Sequence, residues 1–389
     1  MKSWVTRFLR GTVLTSVALS FLLVACQSKS PPVSVIGPVL SSETHEQAET
    51  HWPALSPLTP PEGLRPCCAF GYNLKVDAGG VPVPLYRIDN IVEADKLGEH
   101  HYNDSVLGAS AAIFGMSNER IGLLYTEKGG FIDIAHVRDT ADYTLYLFSQ
   151  IYAHLGEERV LTLDNELAAR KIRFFAFTPP ADPTERYNLS AYLAAKLAFQ
   201  LAAWHEIAQW YGYQSIPGFS EGISAFSPED LYSNLLGSRI ALTLILNGQA
   251  SSLNQFSTAI AHTLPIALNQ LGAYDRPDTQ TMFDEVDGTW WNSYQRVPQK
   301  FLVLRRNYDT QDNRAPLMPS GKEKSALRLS LPDFYLNFSL EKLAQYQLWP
   351  TDKMQNLPVP QQYWTKEDFP MLAKSAERQD RLQQVLDNK

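Results

Sequence analysis

The chain has 389 residues, 44% of them hydrophobic and 19% charged, with a formal net charge of −7. That apolar content is typical of a globular protein. The acidic balance argues against nucleic acid and against an anionic lipid surface as partners. Beyond the N-terminus no stretch reaches the roughly 18 consecutive apolar residues of a membrane-spanning helix.

Lys2, Arg7 and Arg10 precede an apolar run, Val13 to Val24, that is too short to span a bilayer as a helix. The run leads into Leu23-Val24-Ala25-Cys26, which resembles the lipobox of bacterial lipoproteins. The resemblance implies a signal peptide over residues 1–25, diacylglycerol on Cys26, and attachment through acyl chains rather than a spanning segment. The residue after Cys26 is Gln27, not the Asp of an inner-membrane retention signal. The expectation is therefore an outer-membrane, lipid-anchored protein whose body faces the periplasm. An ordinary cleaved signal peptide is the alternative. Loss of residues 1–25 removes three positive charges and no acids, which takes the net charge from −7 to −10. Residues 26–60 read as a lipid-anchored tether rich in Pro and Ser, a composition that cannot bury a core. Residues 61–389 read as a single large globular domain.

Cys67 and Cys68 are adjacent, in a compartment expected to be oxidising. A bond between neighbouring Cys is strained. Two buried thiols, a vicinal disulfide and metal ligation all remain open. The surrounding Arg65-Pro-Cys-Cys-Ala-Phe-Gly71 suggests a segment pinned into the core.

Val81 to Arg87 is extended, because its prolines exclude a helix and a central strand. Ile121 to Thr126 is a buried-strand candidate, followed by a turn at Lys128-Gly129-Gly130. Phe131 to Tyr143 enters a helix ending near Leu155, with Asp133 as a candidate N-cap. Val160 to Leu163 and Lys171 to Phe177 read as short strands. Pro179, Pro180 and Pro183 form a loop. A long helix, Leu193 to Gly212, then carries His205-Glu206 in an otherwise apolar rod. Ser227-Pro228-Glu229-Asp230 is a helix start, with Ser as cap, Pro in the first turn and acids against the dipole. That helix runs to Leu246. Another spans about Ser252 to Leu271, with a kink or break at Pro265. Phe301 to Arg305 and Leu327 to Leu331 are strand candidates, and Thr365 caps a final polar helix to Asn388. The elements add up to an α+β fold, predominantly helical in its core, with a small antiparallel sheet.

His205-Glu206 resembles the helix-borne pair of zinc peptidases, in which His at i and i+4 bind metal and the Glu is the general base. Here the i+4 position is Gln209, so a second ligand must come from elsewhere. His136 and Asp139 lie three apart on the earlier helix and share a face. Glu221 follows in a glycine-flanked loop. The expectation is a zinc or other divalent-metal centre with His136, His205 and Glu221 as ligands. Asp139 would orient a ligating His, and Glu206 would be the catalytic base that activates metal-bound water. The bland reading is a core His satisfied by a backbone group or carboxylate, with a polar helix start at His136. Glu229 and Asp230 read as cap residues, and His100-His101 as an exposed loop. Trp204, Trp210, Trp290 and Trp291 are more often core than sugar-stacking residues. A Cys68–His136 thiol–imidazole pair is a weaker option.

The segments Arg65 to Gly71, Gly130 to Asp139, His205-Glu206 with Trp210-Tyr-Gly212, and Ser224 to Asn234 resemble an uncharacterised bacterial lipoprotein family, domain of unknown function 4056. The resemblance implies an envelope lipoprotein and no particular activity. The leading expectation is an outer-membrane-anchored periplasmic lipoprotein that uses its site for metal-dependent hydrolysis of an envelope substrate, such as a peptide or peptidoglycan. The alternative is a non-enzymatic envelope lipoprotein in which the same residues form a buried structural His/carboxylate network. A working site should be open to solvent; a structural network should be closed and fully hydrogen-bonded.

Overall fold

The computed structural model describes residues 55–61, 65, 69–78, 81–88, 90–102, 118–214, 221–354 and 357–387. The expected signal peptide, Cys26, most of the expected tether, Cys67 and Cys68 lie outside the described residues. Among the described residues no helix is long and apolar enough to cross a membrane. The architecture is α+β: long helices at the centre and small antiparallel sheets around them.

The hairpin β1 (Leu123–Thr126) and β2 (Gly130–Asp133) leads directly into helix α1 (Ile134–Ala153). The segment from Phe131 was expected to enter a helix capped by Asp133, and the helix begins directly after that residue. Phe131 and Ile132 pair with Tyr125 and Leu124, because the turn before them returns an apolar run to strand register. Asp133 ends the strand and caps α1, accepting the Ala135 N–H at 2.7 Å.

Helix α2 (Pro183–Trp210) is ten residues longer at its start than expected. Pro183 belongs to its first turn, not to a loop, and Asp182 caps it through Thr184 and Glu185. Gly212 ends it in the left-handed region, at φ +104°. The Tyr213 N–H bonds back to the Ala208 carbonyl and the Gly212 N–H to Gln209, the paired closure that satisfies orphan carbonyls.

Helix α3 (Asp230–Leu246) is buried along its whole length, as befits a helix without a polar stripe. It was expected to start at Ser227. Ser227 instead lies one turn early, and its N–H donates to the Asp230 carboxylate at 2.9 Å. Helix α1 packs against both α2 and α3, and α2 against α3. This trio is the heart of the larger hydrophobic core. Where α3 meets α1, a Cβ on Gly237 would stand 2.2 Å from the Val137 carbonyl oxygen. Only a glycine allows so close an approach.

Helix α4 (Leu253–Gln270), capped by Ser252, continues through Pro265 without breaking. Helix α5 (Arg276–Glu285) was not foreseen. Helix α6 (Phe369–Asp387) follows the expected capping box, in which Thr365 and Asp368 serve each other's backbone. Strands β3 (Arg159–Thr162) and β4 (Ala169–Phe174) join β5 (Ala344–Trp349) in a three-stranded antiparallel sheet, ordered β5-β4-β3. The 301–305 segment is a 3-10 turn with a single bridge from Val303 to Trp291, not a strand. A second, aromatic core gathers Phe70, Tyr125, Phe131, Phe283, Trp290 and Trp291. The Phe70 ring meets Phe131 edge-on at 4.9 Å and is fully buried in this core.

Gly237→Ala is expected to destabilise the protein by about 1–3 kcal/mol, since α3 must move off α1. Chemical denaturation checks this; an unchanged midpoint would contradict the close approach.

Candidate functional site

The N-terminal turns of α1 and α3 and the C-terminal part of α2 meet around His136. Its Nε2 lies 3.5 Å from Asp230 Oδ1, and its Nδ1 lies 4.0 Å from Glu206 Oε1 and 2.9 Å from Asn234 Nδ2. Asp133, one turn before His136, completes a buried trio with His136 and Asp230. One ligand-type atom from each of the three lies within 4.8 Å of the others. Glu206 is wholly buried behind them and accepts the Phe226 N–H at 2.7 Å. Glu229 is buried beside Asp230 and accepts from Ser227.

Four acids around one imidazole are short of positive charge. Burial, then repulsion from Asp230, drives the Glu206 carboxyl well above its ordinary range. Burial together with Asp230 and Asp133 does the same to Glu229. Asp230 is raised by burial although His136 opposes it. Asp133 is pushed up to about 6, again by burial first. Burial alone would lower the His136 pKa, but Asp230 and Asp133 outweigh it and raise it. Asp133 Oδ2, Glu206 Oε1, Glu229 Oε1 and Asp230 Oδ1 are buried and receive no N–H or hydroxyl donor from the protein. A proton on Glu206 can serve Asp230, which leaves oxygens of Asp133 and Glu229 unserved. Buried polar atoms without partners are uncommon, and acceptors in this state suit a cation.

One imidazole nitrogen and two carboxylate oxygens are a donor set for a divalent ion such as zinc or manganese. Bonds of about 2.1 Å place adjacent ligand atoms some 3 to 4 Å apart. The trio therefore reaches that arrangement with small side-chain adjustments.

Beside the trio a cleft of about 40 Å³ runs between α1 and α2, room for roughly three waters. His136, Asp139, Thr140 and Tyr143 form the α1 wall; Ala198, Leu201, Ala202 and His205 form the α2 wall. Asn234, Arg65, Glu166 and Arg170 complete the lining. His136 and His205 thus share a cleft, and Glu206 is not among its lining residues. His205 turns Nδ1 toward Glu166, at 3.5 Å. Glu221 accepts from the Gln209 side chain at 3.2 Å and lies outside the trio. Asp139 is engaged by Arg65, through its N–H at 2.9 Å and its guanidinium at 2.7 Å, and is not bonded to a ligating His.

A second buried network surrounds Arg65, which also binds Glu119 and Asp142. Arg138 binds Glu119 at 2.8 Å. His100, expected in an exposed loop, is buried and bonded to Asp142 at 2.9 Å, whereas His101 is exposed. Despite burial, Arg65 holds the Glu119 carboxyl far below its ordinary range.

Asp133 and Asp230 were read only as helix-cap residues. The signal that could have marked them is an acid three residues before His136, on the same helix edge.

These features define an α+β protein whose helical centre holds a buried His/carboxylate group at the edge of a small cleft. A family model described as a protein of unknown function, DUF4056, matches residues 55–319. The match covers more than half of the chain and every residue of the site, and the chain belongs to that family. Comparisons with curated proteins and with solved structures found no match.

Acids whose pKa is raised by folding take up protons as the chain folds. Their stabilising contribution is complete below the ordinary carboxylate range, near pH 4, and is lost as pH rises through about 6, the value for Asp133. Glu119 and Glu166 are shifted downward, so theirs is present above that range and lost on acidification. Without divalent cations, the melting temperature is expected to fall between pH 6 and pH 8, and Glu229→Gln to reduce the fall. Thermal melts in chelator test this; a flat profile in both proteins contradicts it.

Proposed function

We propose that this chain is a lipid-anchored envelope protein whose helical body binds a divalent cation through Asp133, His136 and Asp230 and uses it in hydrolysis. The observation that carries the reading is the set of buried carboxylate oxygens around His136 that no protein donor serves. A fully bonded structural network would leave no such oxygens, and in the Arg65 network of this same fold each acid, Glu119, Asp139 and Asp142, has a guanidinium nitrogen within 2.9 Å. The adjoining cleft supports access for a small group or water to the His136 side of the trio.

A cation there would polarise a carbonyl or phosphoryl oxygen, or lower the pKa of a bound water. Glu206, closed off behind His136 and sharing a proton with Asp230, fits a supporting place among these carboxylates better than that of a base in the open cleft. The anchor and the compartment are supported by the Leu23-Val24-Ala25-Cys26 sequence and its basic, apolar lead-in. An outer-membrane location facing the periplasm follows from Gln27. An envelope peptide or peptidoglycan substrate follows from the compartment.

Full-length protein purified in detergent without chelator is expected to carry close to one divalent ion per chain by elemental analysis. His136→Asn and Asp230→Asn should each lose it. Added cation should raise the melting temperature more at pH 8 than at pH 5, since it competes with protons for the same oxygens. A cation-free parent, unmoved by zinc or manganese at either pH, would sink the cation reading. Labelling growing cells with a clickable fatty acid tests the anchor separately. The label should appear in the parent and vanish in Cys26→Ser; its absence from the parent would refute lipid attachment.

A further inference from the structure

We propose that His205 is the proton-transfer residue of the cleft, with Glu166 as the residue that positions it. The inference rests on the hydrolytic reading above and assigns a second chemical role within the same site.

The α2 wall places His205 on the cleft that also contains His136. The Glu166 carboxylate stands 3.5 Å from the buried Nδ1 of His205, which has no closer hydrogen-bond partner. With Nδ1 turned to Glu166, Nε2 is the ring nitrogen left for the cleft. Glu166 is itself held by Arg170, whose Nη1 binds Oε1 at 2.8 Å, and its carbonyl accepts the Trp204 indole N–H at 3.1 Å. Tyr213 meets the imidazole edge-on at 5.9 Å. The ring is thus held between Glu166 at Nδ1 and Tyr213, and it lines the cleft. A carboxylate behind Nδ1 selects the tautomer with a free Nε2 and stabilises the imidazolium that forms when Nε2 takes a proton. The nearby Ala198 and Ala202 leave space in front of it where longer side chains would fill the groove.

The step balances as ordinary hydrolysis. A water in the cleft gives a proton to Nε2 while its oxygen bonds to the substrate carbonyl carbon. As the bond from that carbon to the leaving oxygen or nitrogen breaks, the imidazolium returns the proton to the leaving atom. His205 ends neutral, and the products are an acid and an alcohol or amine.

The test uses full-length, zinc-loaded protein and p-nitrophenyl acetate, whose acetyl group is small enough for the cleft. The parent should hydrolyse the ester faster than free imidazole at equal concentration. His205→Ala should lower the rate at least tenfold with cation content unchanged, and added imidazole should restore part of it. His205→Gln, which keeps most of the volume, should be as slow, so that packing loss and loss of the proton carrier are told apart. Glu166→Gln should lower kcat with KM unchanged, and Glu166→Asp should recover part of that loss. A parent no faster than imidazole, either His205 variant at the parent rate, or loss unrelieved by imidazole overturns the proposal. Loss of the ion in the His205 variants overturns it too, and makes His205 a ligand. If the parent binds no cation yet its rate depends on His205 and is rescued by imidazole, the cation reading falls and the proton-transfer role stands.

Discussion

Backbone-to-backbone contact between α1 and α3 at Val137 and Gly237 sets most of what surrounds it. Val137 neighbours His136, and Gly237 lies one turn beyond Asn234. Drawing the helices together there brings Asn234 onto His136 and turns the first residue of α3, Asp230, toward the same ring. Helix α2 then closes the third side with Glu206. Helix starts favour acids, so two helix starts converging on one imidazole gather carboxylates almost as a matter of geometry. Keeping them there is costly, because each is cut off from water. The surrounding apolar core, with α3 buried on every side, supplies the stability against which that cost is set.

Two buried polar clusters stand close together and differ in charge balance. In one, Arg65 and Arg138 face Glu119, Asp139 and Asp142, and nearly every acid has a guanidinium within about hydrogen-bond reach. It fastens Arg65 to α1 through Asp139 and Asp142. In the other, four acids have one imidazole between them. Arg306 and Arg314 exert some field on Asp230 and Glu206, but Arg306 is engaged by backbone carbonyls and Asp380, and Arg314 by the Asp309 carbonyl. Where cations are missing from a buried acidic group, protons or a metal must supply them. That difference in charge balance, and not burial, is what sets the two clusters apart.

Much of the fold was legible because caps and punctuating residues announce helices locally. Ser252, Thr365, Asp133 and Gly212 each do what their sequence context foretells. Strand β5 was not legible, since its partner β4 lies some 170 residues earlier and the strand has no turn of its own to declare it. Of the site, His136 could be found, but Asp133 and Asp230 were hidden by their service as cap residues: the same carboxylate accepts a backbone N–H and faces the imidazole. His205 and Glu206 invited a joint role because they are adjacent. Neighbours on a helix point about 100° apart. Here one lines the cleft and the other faces the acid group, so adjacency in the sequence did not tell their places apart.

The two alanines on the α2 wall act as a gauge. A cleft of about 40 Å³ admits a methyl, a water or the tip of a chain and turns away a ring or a branched side chain. Selectivity in such a place comes from exclusion, and it is set by atoms the protein leaves out. Each methyl added at Ala198 or Ala202 would narrow the bore without touching a charged group, so the aperture can be recut independently of the chemistry behind it.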